Sequence, residues 1–386
     1  MKAILLSLAM LLTTCAVAEG ISPAPRPADD IVNAITAGWN LGNTLDSCGE
    51  WIGQYTDGSP SAFETAWGNP PVTKQLIEQI RAAGFNAVRV PVTWSQHIDD
   101  SNGYRIDPQW MARVQQVVDW VLESDMYCII NLHHDVGGDG WLRASTESIA
   151  AQSGKFSAVW TQIANHFANY DDRLMFEGFN EILDERSSWS YPGQAATAAV
   201  NRLNQLFVDV IRATGGKNAR RVLLVCTYAA GTNPASLADF VLPDDPAGHA
   251  LIVEVHYYDP GAYCAERSGT ANAQSVWTDS GGKAQVDAML DSLERHFTGK
   301  GIPVIIGEFG VANKDNAADR AEYAAYIVKN AALRGVKCFW WDTGGRIESD
   351  PVLGYYKGMA LCDRYSGEWV FPEIVRALTG VESPNR

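Results

Sequence analysis

Two glutamates in the sequence, Glu181 and Glu308, end apolar segments that are far apart in the chain, FEGFNE and IIGEFG. A pair of carboxyl groups that face each other can catalyse the hydrolysis of a glycosidic bond placed between them. A separation of about 5 to 5.5 Å lets one group act as a nucleophile with retention of configuration, whereas about 6.5 to 9.5 Å leaves room for a water and gives inversion. The sequence does not fix this separation, so both outcomes stay open at this point.

The first of these segments belongs to a cluster of acids, because LMFEGFNEILDE also contains Glu177, Asp184 and Glu185. Side chains in a strand alternate between its two faces, so Glu177 lies on the same face as Glu181 and one layer deeper. A carboxylate at that depth must be paired, and Arg89 or a strand-end histidine is the expected partner. We predict that Asp184 and Glu185, which follow the strand, are solvated or lie at the rim of the substrate site.

Polar side chains also stand at the ends of most other apolar segments. Any one of them has an ordinary explanation, because a single strand-end histidine or arginine is more often a hydrogen-bonded structural residue than a catalyst. Together they indicate a shared site, since a packed core has no use for polar groups that each need a partner. The residues concerned are Asn43, Arg89, His133, His134, Asn180, His256, Tyr258 and Trp341.

The segments that must position these side chains alternate between two patterns. Short apolar runs predict eight strands, and between most of them lie stretches with apolar residues at i, i+3, i+4 and i+7, which are typical of amphipathic helices. This alternation predicts an α/β protein with a single (β/α)8 TIM barrel, whose active site lies at the carboxyl ends of the strands. An open, doubly wound sheet fits less well, because neither G-x-G-x-x-G nor a P-loop is present. The predicted strands are 37–43, 87–92, 127–134, 174–181, 221–228, 251–258, 303–309 and 336–342, and the predicted helices are 73–84, 111–124, 156–169, 197–214, 285–297 and 318–334, with a short one near 235–240.

Three other kinds of chemistry fit the sequence less well. His133, His134, Asp135 and His256 could ligate a metal ion, but neighbouring residues of a strand point to opposite faces and no H-E-x-x-H spacing is present. A serine hydrolase would need a G-x-S-x-G turn, and a Schiff-base enzyme would need a lysine at the end of a strand. Neither feature occurs, so we expect no metal and no cofactor.

The chain begins with a pattern that is typical of a secretory signal peptide. A lysine, an apolar run and a small-residue cleavage site predict a signal peptide over 1–18, and the proline-rich stretch 19–29 predicts an extended tether. Lipid attachment at Cys15 is the alternative, although the threonine before it matches that signal poorly. We therefore expect residues 30–386 to form one large domain of a secreted protein without a membrane span.

Charge, cysteines and tryptophans narrow the class of partner. A formal net charge of −15 without a cluster of lysine and arginine argues against a nucleic-acid partner.

Cys128, Cys226 and Cys338 lie in apolar runs and are expected to be buried thiols, whereas a disulfide among the loop cysteines is permitted but not assigned by spacing. Exposed tryptophan rings can stack on the apolar faces of sugars. The candidates in loops are Trp51, Trp67, Trp94, Trp141, Trp189 and Trp277.

Several motifs together resemble glycoside hydrolase family 5, the cellulase-type retaining enzymes with a (β/α)8 fold. They occur in order over residues 38 to 345, and the first two particularly resemble the subfamily that holds endo-β-1,4-glucanases and xyloglucanases. The motifs are GWNLGNTLD, ETAWGNP, GFNAVRVPVTW, IINLHHD, FEGFNE, VEVHYYDP, IIGEFG and FWWDTGG. Residues 30–386 would then be a glycoside hydrolase catalytic domain.

The resemblance implies a role for each matched residue. Glu181 would be the acid/base, Glu308 the nucleophile, and Asn180 a ligand of the sugar 2-hydroxyl next to the cleaved bond. A guanidinium and a phenol beside Glu308 are expected to lower its pKa. The supporting residues would be Arg89 and Tyr258 around the nucleophile, His133 and His256 around the substrate and the acid/base, Trp341 under the sugar at subsite −1, and Asn43 and Asp46 at sugars further along, with His134 also among the substrate-binding candidates.

The resemblance also implies an activity and a partner. It points to an endo-β-1,4-glucanase, or cellulase, that acts with retention through a covalent glycosyl-enzyme intermediate. Xyloglucan, mixed-linkage β-glucan and mannan stay open as substrates, because loop geometry discriminates among them. A barrel that binds polysaccharide without catalysis is the remaining alternative, and the presence of both glutamates argues against it. The expected partner is a β-glucan polysaccharide or oligosaccharide, and we expect a monomer.

Overall fold

The computed structural model describes residues 27–138, 140–266, 271–277, 282–345 and 358–380. Within these ranges eight parallel strands close into a barrel, and each strand pairs with its neighbours in the chain until the last pairs with the first. The predicted α/β class and single (β/α)8 barrel are therefore confirmed. The strands are β1 (Gly38–Leu41), β2 (Ala87–Val90), β3 (Tyr127–Asn131), β4 (Leu174–Glu177), β5 (Leu223–Cys226), β6 (Leu251–Tyr257), β7 (Val304–Phe309) and β8 (Val336–Asp342).

Helices surround the barrel, and the seven predicted ones are all present. Several begin at side-chain caps, as where Thr73 accepts a hydrogen bond from the amide of Leu76 and Ser145 accepts one from that of Ser148. No helix in the described ranges is both long and apolar enough to cross a membrane. The helices are α1 (Pro27–Ala34), α2 (Glu50–Tyr55), α3 (Pro60–Glu64), α4 (Lys74–Ala82), α5 (Pro108–Glu123), α6 (Thr146–His166), α7 (Gln194–Ala213), α8 (Pro234–Asp239), α9 (Gly261–Cys264), α10 (Ala284–His296), α11 (Ala317–Leu333) and α12 (Pro372–Thr379).

Helix α1 changes the predicted start of the folded domain. It begins at Pro27, inside the stretch 19–29 that the proline pattern assigned to a tether. Ala28 and Ile31 are buried in the apolar cluster at the floor of the barrel, and the amide of Ala28 donates to the carbonyl of His249. Proline is well tolerated in the first turn of a helix, so its presence does not exclude this one. The predicted signal peptide lies outside the described residues.

The lowest layer inside the barrel is apolar. The floor cluster includes Ile129, Met175 and Phe339, all buried. A methyl group at Gly38 would overlap the ring of Phe339. Glycine is therefore required at this position, because its missing side chain leaves the space that the neighbouring phenylalanine fills.

The next layer inside the barrel is polar and charged. Arg89 donates from Nε and Nη2 to the two oxygens of Glu177 at 2.6 and 2.7 Å, and its Nε lies 3.2 Å from Glu254 Oε1. Asn40 accepts from Arg89 Nη1 at 3.1 Å, and Asn131 donates to Glu177 at 2.8 Å. None of these five side chains is reached by solvent to any useful extent. The predicted pairing of Glu177 with Arg89 is confirmed.

The pairing of Glu177 gives a prediction about stability. We expect Glu177→Ala to lower the free energy of unfolding by about 3 kcal/mol, because the buried guanidinium and the amide of Asn131 lose a partner that water cannot replace. Urea denaturation measures this loss. The matched control is Glu185→Ala, since that side chain is exposed and its removal should change stability by less than about 0.5 kcal/mol. Equal effects of the two variants would contradict the prediction.

Candidate active site

The structure brings Glu181 and Glu308 together at the carboxyl end of the barrel. Glu308 lies in β7, whereas β4 already ends at Glu177 and Glu181 follows in the loop, so the predicted strand 174–181 is too long. The apolar pattern continues beyond the strand because Phe179 and Ile182 are buried as well. One carboxylate oxygen of Glu181 and one of Glu308 lie within 4.8 Å of each other. This short separation fits direct attack by one carboxylate rather than the wider arrangement that holds a water.

Glu308 has a hydrogen-bond donor on each of its oxygens. Arg89 Nη1 donates to Oε1 at 2.5 Å, and the Tyr258 hydroxyl donates to Oε2 at 2.9 Å. Burial raises the pKa of Glu308 above its ordinary value, against the opposing charges of His256 and Arg89. The expectation of a lowered pKa is therefore wrong in net direction, because it left out burial. The two donors fix the orientation of the carboxylate.

A β-bulge aims Glu308 into the mouth of the barrel. Val255 of β6 pairs with Ile306, but the next residue, His256, pairs with Glu308, so Gly307 is the extra residue of the bulge. The carbonyl of Gly307 accepts a hydrogen bond from Asn40 Nδ2 at 2.9 Å. Bulges bend a strand locally and redirect the side chain that follows. The bulge was not predicted, because a G-E dipeptide in an apolar run gives no sign of an interrupted ladder.

Glu181 is held by a histidine that is itself held by a second buried acid. His256 Nδ1 lies 2.7 Å from Glu181 Oε1, and His256 Nε2 lies 3.2 Å from Glu254 Oε1. Although burial favours the neutral ring, Glu308, Glu181 and Glu254 raise the pKa of His256 to about 10. Sequence reasoning missed Glu254. The available signal was V-E-V-H, in which period two places Glu254 on the inward face with His256.

Asn180, His133 and Trp341 line the mouth beside the two glutamates. Asn180 Oδ1 accepts from Arg89 Nη2 at 2.8 Å, which fixes the orientation of its amide. The ring of His133 stacks on the half-buried indole of Trp341, with centroids 5.6 Å apart and planes 6° apart. Burial lowers the pKa of His133 well below its ordinary value, and the charges of His134, Arg89 and His256 act in the same direction. His133 is therefore neutral.

The loop after β1 carries Asn43 and Asp46, which were both expected to contact sugars. Asp46 is fully buried, and its carboxylate accepts hydrogen bonds from the amides of Asn43 and Thr44 at 3.1 and 2.6 Å. Asp46 therefore shapes the loop and does not reach a sugar in the mouth, which corrects its place among the substrate-binding candidates. Asn43 is half-buried and has a positive φ of 56°. A contact between Asn43 and a sugar stays a prediction.

His134 and the metal alternative need a second correction. Strand β3 ends at Asn131, so His133 and His134 are not bound by strand alternation, and their rings lie 4.5 Å apart. Ligand-type atoms of Asp46, His133 and His134 lie within 4.8 Å of one another. Two of these three side chains are already committed to the protein, because Asp46 accepts two amides and His133 Nδ1 faces Asn131 Nδ2 at 3.1 Å. The half-buried His134 also packs against Trp67, at 5.4 Å between ring centroids.

Asp184 and Glu185, which follow β4, differ in burial, although both were predicted to be solvated or at the rim of the site. Asp184 is buried, and its carboxylate accepts from Ser188 N at 2.9 Å and from Arg186 Nε at 3.0 Å. The prediction of a solvated or rim residue is wrong for Asp184, because it holds a tight loop that the sequence pattern does not reveal. It is confirmed for Glu185, which is exposed and accepts from Ser145 Oγ at 2.7 Å.

The predicted aromatic and thiol residues are partly confirmed. Trp94 and Trp277 are buried and cannot stack on a sugar, whereas Trp51 and Trp189 are 44% and 66% exposed. Trp67 and Trp141 are half-buried. Cys128, Cys226 and Cys338 were expected to be buried thiols, and all three are free thiols and buried.

A groove extends from Glu181 along one side of the mouth. Its volume is about 490 Å³, which lies in the usual range for small-molecule sites. The exposed ring of Trp189 and the hydroxyl-bearing side chain of Tyr228 line it, and Tyr258 forms its inner end beside Glu308. The groove also reaches Asn233 in front of α8. Glu181 lies at one end of the groove, and the aromatic side chains along it offer flat apolar faces on which the rings of an oligosaccharide can stack.

Relatives with known names cover nearly all of the chain. The family model described as Cellulase (glycosyl hydrolase family 5) matches residues 47–346. Endoglucanase A of Ruminococcus albus is 35% identical over 375 residues, which are 95% of this chain and 96% of that protein. Endoglucanase A of Clostridium longisporum is 37% identical over 92% of this chain, and the cellulase/esterase CelE of Acetivibrio thermocellus is 40% identical over 92% of it. The chain spans only 65% and 41% of the length of these two relatives.

Solved structures share the fold at similar identity. A GH5-4 broad specificity endoglucanase from Ruminococcus champanellensis, with bound cellotriose, superposes with a TM-score of 0.82 at 38% identity over 91% of this chain and 98% of that chain. A mutant glycoside hydrolase 5 lichenase from Caldicellulosiruptor sp. F32, in complex with cellotetraose, gives 0.82 at 35% identity over 95% and 98%. With its barrel, its paired glutamates and these matches, the chain belongs to the cellulase family, glycosyl hydrolase family 5.

Proposed function

We propose that the protein is a retaining endo-β-1,4-glucanase. The observation that carries this proposal is the pair of carboxylates, Glu181 and Glu308, with oxygens within 4.8 Å and different partners. Glu308 is held by two donors deep in the mouth, whereas the side chain of Glu181 is 21% exposed beside the groove. The buried, oriented acid suits the nucleophile, and the accessible acid suits proton transfer to and from the leaving group and water.

The first chemical step forms a bond from Glu308 to the sugar. A carboxylate oxygen of Glu308 attacks the anomeric carbon while the bond from that carbon to the leaving oxygen breaks. Glu181 donates its proton to the leaving oxygen, so the departing sugar leaves as an alcohol. Arg89 and Tyr258 keep the attacking group oriented, and burial raises the pKa of Tyr258 well above its ordinary value, so the phenol remains a donor. The products are a glycosyl ester of Glu308 and a Glu181 carboxylate.

The second step restores both glutamates. Glu181, now a carboxylate, takes a proton from a water that attacks the anomeric carbon, and the ester bond to Glu308 breaks. The two displacements together retain the configuration of the sugar. Glu308 carries negative charge before the first step and none in the intermediate. Glu181 is therefore beside a negative charge when it acts as an acid and beside a neutral ester when it acts as a base.

The residues around the pair suit the binding of sugar rings. We infer that Trp341 supports the sugar at subsite −1, where its indole is fixed against the neutral ring of His133. Asn180, with its amide oxygen on Arg89, is placed to bind a sugar hydroxyl next to Glu181. Asn43 and His134 lie at the same rim and are assigned to neighbouring sugars.

The substrate is inferred to be a β-1,4-linked glucan. Structural relatives named as a broad specificity endoglucanase and a lichenase carry bound cellotriose and cellotetraose, which are β-1,4-glucan fragments. The groove that leads away from Glu181 leaves room for further sugars beyond the cleaved bond, which agrees with internal cleavage. A panel of cellulose, mixed-linkage β-glucan, xyloglucan and mannan, with product sizes read by chromatography, tests this. Failure to hydrolyse any β-1,4 polymer would overturn the proposal.

The assignment of the two glutamates gives a second prediction. We expect Glu308→Gln to reduce turnover by at least about 10⁴-fold, since no nucleophile remains, and a 2-deoxy-2-fluoro-cellobioside to label the peptide that contains Glu308. Mass spectrometry locates the label. Proton NMR of the first product should show the β-anomer.

Glu181→Gln is the matched variant for the acid. It should hydrolyse substrates with poor leaving groups slowly and be rescued for activated aryl cellobiosides by azide, which needs no base. Label on Glu181 would reverse the assignment, and an α-anomer as the first product would show inversion and contradict the double displacement.

We infer that the protein is exported, and the basis is its N-terminal pattern alone. The first residues combine a lysine, an apolar run and a small-residue site at Ala16-Val17-Ala18. Cleavage after Ala18 should place Glu19 at the N-terminus of the mature protein, which Edman sequencing of exported material reads directly. Metabolic labelling with a palmitate analogue separates this from lipid attachment at Cys15. Labelled protein, or material that retains Met1, would contradict the inference.

A further inference from the structure

We propose that Glu254 is a positioning residue for the acid/base, which it controls through the ring of His256. The proposal rests on the function proposed above and adds a third member to its machinery. Glu254 touches neither a sugar nor the reacting atoms, because it is fully buried one layer below the mouth. Its effect must therefore pass through the side chains that contact it.

The contacts form a line from the interior to the mouth. Glu254 Oε1 lies 3.2 Å from His256 Nε2, and His256 Nδ1 lies 2.7 Å from Glu181 Oε1. The two ring nitrogens thus face two different carboxyl groups, one buried and one at the cleavage site. His256 is itself 5% exposed, so water does not compete for either contact.

The structure reserves space for the Glu254 carboxyl group. A methyl group at Gly307 would overlap its Oε1 and Cδ, so only glycine at the bulge leaves room for it. Its other oxygen accepts from the thiol of Cys226 at 3.2 Å, and its first oxygen also lies 3.2 Å from Arg89 Nε. Hydrogen bonds from His256 and Cys226 and an ion pair with Arg89 hold the carboxylate in one orientation within this space. This independent feature of β7 shows that the placement of Glu254 is built into the barrel.

The fixed carboxylate determines which ring nitrogen of His256 carries a proton in both states of Glu181. A carboxylate only accepts, so Nε2 must be the donor toward Glu254. Nδ1 and Glu181 then share one further proton across their 2.7 Å contact. With that proton on the ring, Nδ1 donates to ionised Glu181, and with it on the carboxyl group, Nδ1 accepts from protonated Glu181. A catalytic acid that later acts as a base needs a partner of this kind, because its own proton leaves and returns. Without Glu254, the ring could place its single proton on Nδ1 and would then offer no acceptor to protonated Glu181.

Charge in the surroundings agrees with this role. The groups that face the line are Arg89 from β2, His133 after β3, Glu177 from β4, Cys226 from β5, and Tyr258 and Glu308 around the mouth. Although burial opposes it, Arg89 and His256 lower the pKa of Glu254, so this acid is ionised. Burial raises the pKa of Glu177 to about 7 against the effect of Arg89, and the charge of Glu254 adds to the increase. Glu177 and Glu254 both contact Arg89, but only Glu254 also contacts the ring of His256.

The contribution of Glu254 should be largest in the covalent intermediate. In the free enzyme Glu308 is the largest of the charges that favour protonated His256. That charge disappears when Glu308 becomes an ester, and Glu254 is then the buried carboxylate that remains in contact with the ring. Breakdown of the intermediate, in which Glu181 acts as the base, therefore depends on Glu254 more than its formation does.

The experiment compares Glu254→Gln with Glu177→Gln, its matched control. Both substitutions keep the size of a buried side chain on Arg89, but only the first removes a carboxyl group in contact with His256. We expect Glu254→Gln to move the alkaline limb of the kcat/KM profile toward acid by about 1 pH unit. Without the negative charge of Glu254, the proton between His256 and Glu181 is held less tightly. Its kcat on activated aryl cellobiosides, where breakdown of the intermediate limits turnover, should fall at least 10-fold with KM unchanged or lower. A smaller shift of the limb is expected for Glu177→Gln.

Histidine NMR tests the proposal without turnover and on the unaltered protein. With ¹⁵N-labelled histidine, assigned by comparison with His256→Asn, His256 should carry a proton on Nε2 across the active pH range. A neutral ring protonated on Nδ1 would overturn the proposal, and so would equal limb shifts in the two variants or a uniform loss of activity without a shift. Unaltered protein that shows the Nε2 proton but hydrolyses no β-1,4 glucan would sink the proposed function alone.

Discussion

The buried guanidinium of Arg89 is the interaction on which the rest of the site depends. It sits inside the barrel and contacts side chains from β1, β4, β6 and β7, including Glu177, Glu254 and Glu308. A cation in that position is costly unless its hydrogen bonds are satisfied, and so are the carboxylates without the cation. Cation and anions therefore require one another. This mutual requirement joins β2, which carries Arg89, to four other strands through their side chains, and it fixes the carboxylate of Glu308 relative to the barrel axis.

The charges in this interior do not cancel one to one, and the imbalance has chemical consequences. Three carboxylates surround one guanidinium, and His256 supplies the second positive charge. Burial raises the pKa of Glu177 to about 7 against the effect of Arg89, whereas Arg89 and His256 lower the pKa of Glu254 despite its burial. Three carboxyl groups thus compete for two cations just below the mouth. A proton on one of the three carboxyl groups balances the charge.

The sequence predicts the barrel and the convergence of Glu181 and Glu308 well, because both follow from short-range periodicity. Parallel strands bring their carboxyl ends to one face, so polar residues at the ends of apolar runs, such as Glu181 and Glu308, must converge. Prediction from the sequence fails where a contact between distant loops or a local turn decides whether a residue is buried. Asp46 and Asp184 look like rim acids by position, yet backbone amides of their own loops bury them. Likewise, nothing in IIGEFG announces the bulge at Gly307, which depends on pairing with β6.

Two glycines, Gly38 and Gly307, make room for side chains in two different layers of the barrel interior. Gly38 gives its space to the ring of Phe339 in the apolar floor, and Gly307 gives its space to the carboxylate of Glu254 one layer higher. Apolar residues of α1 pack into the floor cluster with Ile129, Met175 and Phe339, so the layer above it has an apolar, low-dielectric boundary on its inner side. Electrostatic interactions are stronger beside such a boundary than in water. An apolar floor under a charged layer is therefore what lets a buried acid influence protons at the mouth.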